Sequence, residues 1–174
     1  MRYLGRLAAL LGWLGVGCAV AAETAAATLD LEDCRISAGA GYPSMKARCG
    51  SLVRPIDPAD PGSATIELAV AVVPALTLEP EPTPLVPVAG GPGQSTIEFF
   101  AAYAGAFEPI RRTRDIVLLD QRGTGDSAPL ACGLGEELLE GDQTPERAAE
   151  EAQRCLDRLQ HDPRYFTTSV AVTD

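Results

Sequence analysis

The sequence has 174 residues, of which 46% are hydrophobic and 22% are charged, so it has room for one globular domain and differs from a disordered chain. Its formal net charge of −10 argues against a protein that binds nucleic acid or an anionic membrane surface. The single lysine, Lys46, is far from any glycine-rich loop, which excludes a Walker-type phosphate loop. The single histidine, His161, excludes a histidine-rich metal site.

The first 22 residues have the layout of a secretory signal. Two arginines precede an uncharged apolar run over residues 7–16, and small residues follow it. The run is shorter than the roughly 20 residues that a membrane-spanning helix needs, which disfavours a retained anchor. Cys18 raises the alternative of a lipoprotein, although Gly15 stands where such signals usually have leucine. We predict a secreted or periplasmic protein with no membrane span after cleavage of residues 1–22.

The cysteines indicate a structural role. Removal of the signal leaves an even number of them, which in an exported chain predicts two disulfide bonds. Three pairings are possible, and pairing of sequence neighbours closes the shortest loops. Their spacing matches no zinc-binding pattern, so we expect no metal. The four residues, in the order of that local pairing, are Cys34 with Cys49 and Cys132 with Cys155.

Alternation of apolar residues, turn residues and helix caps predict the elements of the mature chain. The first half is predicted to begin with a loose leader (23–33), a looped segment (34–49) and a short strand (51–53). A longer strand (65–73), an exposed proline-rich connection (74–84) and a short apolar run (85–88) follow. The second half is predicted as a helix from Ser95 or Thr96 to about Phe107, a buried strand (115–119) covered on both faces, a helix opened by Thr144-Pro145 and stopped by Asp162-Pro163, and a further helix capped by Thr167 or Thr168. The apolar face of the Thr144 helix, which we expect to point inward, consists of Ala148, Ala152, Cys155, Leu156 and Leu159.

This order of elements predicts a three-layer α/β fold with a mostly parallel central sheet. We divide the chain into a signal peptide (1–22), a leader with a disulfide-linked loop segment (23–64) and the first part of an α/β domain (65–174). Ligands of such folds gather at the carboxyl ends of the strands. Because both glycine-rich loops follow strands, we expect the two loops to lie along the same edge.

The first loop is Gly90-Gly91-Pro92-Gly93, directly after the apolar run 85–88. Glycines let the backbone approach a ligand and turn its N–H groups toward an oxyanion or a phosphate. Phosphate binding is disfavoured because both the lysine and the G-x-G-x-x-G spacing are absent. A tight strand-to-helix turn without a ligand is the plain structural alternative.

The second loop runs from Asp120 to Ser127 after the strand 115–119. A trypsin-like serine at Ser127 is rejected because Ala128 follows where glycine is needed and no histidine lies upstream. A metal site from Asp120 and Asp126 lacks further ligands. The favoured interpretation is structural, with side chains and glycines that shape the loop next to the first one: Asp120, Arg122, Gly123, Gly125 and Asp126.

The two loops together, PVAGGPGQS over 87–95 and DIVLLDQRGTGDS over 115–127, closely resemble the α/β-hydrolase family of proline iminopeptidases and secreted tripeptidyl aminopeptidases. The resemblance covers about residues 49–174 and includes the later YFTT and VTD segments. It implies an α/β-hydrolase fold in which the Gly91 N–H, with Gly90 beside it, contributes to an oxyanion hole. The family usually has histidine before the two glycines, where this chain has Ala89. The resemblance implies no cofactor.

The family's nucleophile lies in a G-x-S-x-G turn, and none of the serines here fits that pattern. The resemblance places the nucleophile roughly twenty residues beyond Asp174, followed by an acid and a histidine. His161 precedes that point and is interpreted as a surface residue. The chain is therefore expected to be the N-terminal part of an exported aminopeptidase, with no catalytic triad residue of its own.

Three expectations follow for this incomplete domain. Its substrate in the full-length protein would be a peptide, or a small ester or amide. The alternatives are an esterase of the same fold, and a truncated product or non-catalytic exported domain that keeps the loops as scaffolding. Because the sheet would end at an unpaired edge, residues 23–174 alone are expected to be unstable or to aggregate.

Overall fold

The computed structural model describes residues 29–91, 93–130 and 144–174, which form a small α/β domain on one four-stranded sheet. The elements are strands β1 (Glu32–Ile36), β2 (Met45–Pro55) and β3 (Thr65–Val73), helices α1 (Thr96–Ala102) and α2 (Ala104–Arg111), strand β4 (Ile116–Leu119), helix α3 (Pro145–Leu156), a 3-10 helix (Pro163–Tyr165) and helix α4 (Thr168–Ala171). The strands lie in the order β1-β2-β3-β4, and each neighbouring pair is antiparallel. The predicted signal peptide lies outside the described residues.

The antiparallel sheet corrects the prediction of a mostly parallel one. Short turns join β1 to β2 and β2 to β3, and such turns can only return the chain antiparallel, because a parallel pair needs a crossover of a dozen or more residues. Among the described residues, parallel pairing is limited to a bridge between Leu85 and Ile116. There the Leu85 N–H donates to the Asp115 carbonyl (2.9 Å) and the Leu85 carbonyl accepts from the Val117 N–H (2.9 Å). The apolar run 85–88 thus begins beside β4, on the edge away from β3.

The segment predicted as a loop over residues 34–49 is a β-hairpin. Strands β1 and β2 pair from Glu32–Cys49 to Ile36–Met45, and β2 is much longer than the predicted short strand. A disulfide bond joins Cys34 to Cys49 across this pair, with 5.8 Å between their Cα atoms, which confirms that bond of the local pairing. Cys155 is also disulfide-bonded, and its predicted partner Cys132 lies outside the described residues.

The helix after the first loop begins where it was predicted and continues further. The Ser95 hydroxyl caps α1 by accepting the Glu98 N–H (3.0 Å). Tyr103, with φ −113° and ψ 21°, leaves the helical region and separates α1 from α2. The Phe100 ring of α1 and the Phe107 ring of α2 pack together across this break, with their centroids 5.0 Å apart.

The core lies between α1 and one face of the sheet. Phe100 is fully buried there, against buried side chains of β3 and β4: Ala71, Val73, Ile116 and Leu118. On the opposite face β3 buries Ile66, Leu68 and Val70. The prediction that β4 is covered on both faces is only half right, since Val117 and Leu119 are half-buried.

The later helices start as predicted, but the apolar face of α3 is not buried. The Thr144 hydroxyl caps α3 by accepting the Arg147 N–H (3.4 Å), and Thr167 stands at the N-cap of α4. Helix α3 ends at Leu156, before the predicted stop at Asp162-Pro163. Its apolar face is mostly exposed: Ala148, Ala152 and Leu156 are exposed, whereas Cys155, and Leu159 just after the helix, are half-buried.

Candidate functional site

The two glycine-rich loops meet at a buried contact between Ser95 and Asp120. The Ser95 hydroxyl donates to both carboxylate oxygens of Asp120, at 2.9 and 3.0 Å. The Ile97 N–H, in the first turn of α1, donates to the same carboxylate (3.0 Å). Ser95 is 5% exposed and Asp120 is 1% exposed, so water cannot replace these bonds. The start of α1, which follows the first loop, is therefore fastened to the start of the second loop.

The first loop closes on α1, and its first two glycines lie at the surface. The Thr96 hydroxyl accepts the Ala89 N–H (3.4 Å), which holds the residue before the glycines near the helix start. Gly90 and Gly91 are exposed, and within the described part of the chain their N–H groups donate no hydrogen bond. Gly91 has φ +149° and Gly93 has φ +89°, a region that side-chain-bearing residues rarely adopt. Glycine is thus required for the path of this loop.

The second loop is a tight turn tied to β3. The Gly123 N–H donates to the Ser127 carbonyl (2.7 Å), and the Ser127 N–H donates to the Thr124 carbonyl (2.9 Å). The Ser127 hydroxyl donates to the Asp120 carbonyl (2.7 Å) and accepts the Ala69 N–H (2.8 Å). Because Ser127 is fully buried, its oxygen has a structural role and is not presented to a substrate.

Gly125 lets the loop approach the Asp120 carboxylate. Its φ is +49°, and a Cβ atom added there would overlap the carboxylate and lie 3.0 Å from the Ser95 Cβ. The next residue, Asp126, donates its N–H to the same carboxylate (3.4 Å), while its own side chain is exposed. Gly123 has φ +86°, so both glycines of the second loop adopt a left-handed conformation.

The buried side chain of Arg122 connects the second loop to other parts of the chain. Its guanidinium is fully buried and forms an ion pair with the carboxylate of Asp174, with Nε at 2.7 Å from Oδ2 and Nη2 on Oδ1. Its other N–H groups donate to three backbone carbonyls: those of Pro55 (3.2 Å), Ile56 (2.7 Å) and Tyr165 (3.0 Å). The end of β2, the second loop, the 3-10 helix and Asp174 therefore meet at one side chain.

A cavity of about 390 Å³ opens beside the Ser95–Asp120 contact. Its lining includes the exposed carboxylates of Glu98 and Asp126 and the side chain of Arg35. The Arg35 side chain is held by two hydrogen bonds to Ser44, with Nε 2.9 Å from the hydroxyl and Nη2 2.8 Å from the carbonyl. The space is large enough for part of a small ligand next to the two loops.

The remaining candidate groups lie apart from this contact network. His161 stacks on Phe166 with ring centroids 5.9 Å apart. A side-chain hydrogen bond from Arg164 lowers the pKa of the exposed Asp162 carboxyl below its usual value. In the part of the chain that the structure describes, no three His, Cys, Asp or Glu side chains cluster as metal ligands, and no helix is long and apolar enough to cross a membrane.

Sequence reasoning selected the glycines and Asp120 but missed two partners. Ser95 was assigned only a capping role, although its hydroxyl also donates to Asp120 across 25 residues of sequence. Asp174 was interpreted only as part of a family-like segment, while it is the buried partner of Arg122. The sequence held no signal for either pair, because the burial of Arg122, which requires a carboxylate partner, is visible only in the fold.

Comparison with known proteins supplies relatives for this chain. No established family profile matches it. It is similar to the tripeptidyl aminopeptidases of Streptomyces coelicolor and Streptomyces lividans, each 30% identical over 176 residues that cover 91% of this chain and 32% of the relative. It is also similar to carboxylesterase B of Mycobacterium tuberculosis, 38% identical over 95 residues that cover 53% of this chain and 18% of that protein. The chain thus spans about a third of the length of the Streptomyces relatives.

Proposed function

We propose that this chain is the N-terminal part of an exported serine hydrolase of the α/β-hydrolase fold, related to proline iminopeptidases and tripeptidyl aminopeptidases. Its activity is the release of residues or short peptides from peptide N-termini. The observation that carries this proposal is the buried contact between Ser95 and Asp120, because it brings together the two loops on which the family resemblance rests.

The sheet order is consistent with the proposed fold. β3 is antiparallel to β4, and the run 85–88 begins a parallel pairing on the other edge of β4. The first loop follows that run and the second loop follows β4, so both loops leave the carboxyl ends of neighbouring parallel segments. Open α/β sheets bind their ligands at this edge.

The chemistry would be acyl transfer. A serine beyond Asp174 attacks the scissile carbonyl carbon, its proton passes to a histidine, and the carbonyl oxygen becomes an oxyanion. The N–H of Gly91, with Gly90 beside it, is exposed and donates no hydrogen bond among the described residues, so it is available to that oxyanion. One such donor contributes about 3 kcal/mol to transition-state stabilisation.

Ester hydrolysis is the second candidate. The similarity to carboxylesterase B of Mycobacterium tuberculosis supports it, because ester cleavage uses the same tetrahedral intermediate and the same oxyanion donors. The greater coverage of this chain by the tripeptidyl aminopeptidases, 91% against 53%, favours the peptide substrate.

The test is hydrolysis by the full-length product of the reading frame. Aminoacyl and tripeptidyl p-nitroanilides are compared with p-nitrophenyl esters of short acids. We expect release of p-nitroaniline from the peptide substrates at a higher kcat/KM than release of p-nitrophenol from esters. Activity on esters alone would favour the second candidate. Absence of activity on every substrate would favour a non-catalytic domain and contradict the proposal.

Export is part of the same proposal. The Cys34–Cys49 disulfide is consistent with an oxidising compartment. Mass spectrometry of the exported protein is expected to find a mature chain that starts near Glu23. A chain that starts at a lipid-modified Cys18 would instead establish the lipoprotein alternative.

A further inference from the structure

The ion pair between Arg122 and Asp174 is buried and joins residues 52 positions apart in the sequence. The Arg122 side chain is 0% exposed and that of Asp174 is 4% exposed. All five N–H groups of the guanidinium are accounted for by two carboxylate oxygens and three backbone carbonyls. Each partner has fixed geometry, so the guanidinium plane can take only one orientation.

Such a pair contributes little to net stability for its size. Removing two charges from water costs about as much as their attraction returns, and an apolar replacement of similar volume is often equally stable. Its distinctive property is geometric, because a bidentate arginine–carboxylate pair fixes both distance and direction. The backbone that carries Arg122 is therefore held at a defined position relative to β2 and the 3-10 helix.

That backbone leads directly to the candidate site. Arg122 is two residues after Asp120, whose carboxylate accepts the Ser95 hydroxyl and the Ile97 N–H. These two bonds hold the start of α1, which directly follows the first loop, and the Gly91 N–H of that loop donates no hydrogen bond among the described residues. A shift of Arg122 would therefore move Asp120, which is two residues away. Asp120 would in turn move the start of α1 through its bonds to Ser95 and Ile97, and α1 would move the first loop that carries the oxyanion donor.

We propose that Arg122 and Asp174 are positioning residues for the oxyanion donor of the first loop, an inference that rests on the proposed hydrolase function. Neither residue touches the substrate. The pair sets where the loop after β4 lies, and that loop sets where the Gly91 N–H points. Its effect belongs to the transition state, since the oxyanion exists only there.

The test uses the full-length enzyme with Asp174→Asn, Arg122→Lys and the double variant. The matched control is the exposed ion pair Glu108–Arg112 at the end of α2, in which the side chains are 58% and 69% exposed, changed to Glu108→Gln and Arg112→Lys. We expect kcat to fall about tenfold or more in both single variants, with KM within about twofold. The kcat of the double variant is expected to be no lower than that of the less active single variant. Both control variants are expected to have the wild-type kcat.

A second readout separates positioning from loss of folded protein. Affinity for a peptide boronate, whose tetrahedral adduct needs the oxyanion donor, should weaken in parallel with kcat, measured on enzyme shown to be folded by circular dichroism. Asp174→Glu should recover part of the loss because it restores the carboxylate. Unchanged kcat in folded Asp174→Asn and Arg122→Lys, or an equal fall in the Glu108→Gln control, would overturn the inference.

Two other outcomes are also decisive. If Asp174→Asn, Arg122→Lys and Asp174→Glu all fail to accumulate as folded protein at low temperature, the pair serves folding alone and the inference is wrong. If the wild-type enzyme cleaves no substrate and binds no boronate, the proposed function itself fails, and the inference fails with it. An active wild type with fully active variants contradicts the inference alone.

Discussion

At the scale of single residues, Gly125 is the position where the second loop tolerates least change. Its φ of +49° and the closeness of the Asp120 carboxylate both disfavour a side chain. We expect Gly125→Ala to lower the free energy of unfolding by about 2 kcal/mol, because the new Cβ displaces the carboxylate that holds Ser95. Urea unfolding of the full-length protein, followed by circular dichroism, measures this change.

Gly105 provides the matched control. It lies in the first turn of α2 and has no positive φ, and no atom of the described residues comes within 4 Å of an added Cβ. Alanine is the better helix former, so Gly105→Ala should raise the free energy of unfolding by about 0.5–1 kcal/mol. Equal effects of the two substitutions would show that the Gly125 conformation is not required.

At the scale of elements, helices α1 and α3 show what a buried hydrogen bond adds to a helix cap. Both helices have a side-chain cap, and the capping residue of α1 also makes a buried hydrogen bond. Among the described residues the Thr144 hydroxyl makes only the exposed cap of α3, whereas Ser95 caps α1 and also donates to the buried Asp120 carboxylate. We expect Thr144→Ala to cost about 1 kcal/mol and Ser95→Ala about 2–3 kcal/mol of unfolding free energy. Similar losses would mean that the Ser95–Asp120 bond adds nothing beyond the cap.

A disulfide bond cross-links the hairpin of β1 and β2. Cys34 and Cys49 are 15 residues apart, and a cross-link that closes a loop of this size stabilises a protein by about 3 kcal/mol in the chain-entropy account. The double variant Cys34→Ala, Cys49→Ala should lower the unfolding midpoint accordingly. Differential scanning calorimetry of the oxidised proteins checks this, and an unchanged midpoint would contradict it.

Elements with a clear hydrophobic periodicity could be predicted from the sequence, and elements without one could not. β3 was predicted over its full length because apolar and β-branched residues alternate there. β1 was interpreted as part of a loop because charged residues occupy much of this short edge strand, next to a turn rich in glycine. The direction of the strands was also predicted wrongly, because hydrophobic periodicity shows which face is buried and carries no information on whether neighbours run parallel.

The candidate site was predictable where it depends on local sequence. The glycines and Asp120 stand in short contiguous segments, so their residue types and spacing were sufficient to select them. The bonds from Ser95 to Asp120 and from Arg122 to Asp174 join side chains 25 and 52 residues apart. Such pairs depend on the tertiary fold, and nothing in one sequence specifies them.

At the scale of the whole molecule, the described residues leave apolar surface uncovered. The exposed face of α3 includes Leu156, and the run 85–88 exposes Val86 and Val88 beside β4. We expect residues 23–174 expressed alone to unfold without a cooperative transition or to aggregate, because these surfaces need partners. A sharp thermal transition of a monomeric fragment, with light scattering as the check on its size, would contradict this.

The central claim is that the two loops serve a serine that acts beside them, and labelling with a fluorophosphonate tests it most directly. The full-length protein is reacted with the probe, digested, and the modified residue is located by mass spectrometry. The account predicts one labelled serine, located after Asp174 in a G-x-S-x-G segment, and slower labelling of the Gly125→Ala variant. Labelling of Ser95 or Ser127, or no labelling of an intact and folded protein, would contradict it.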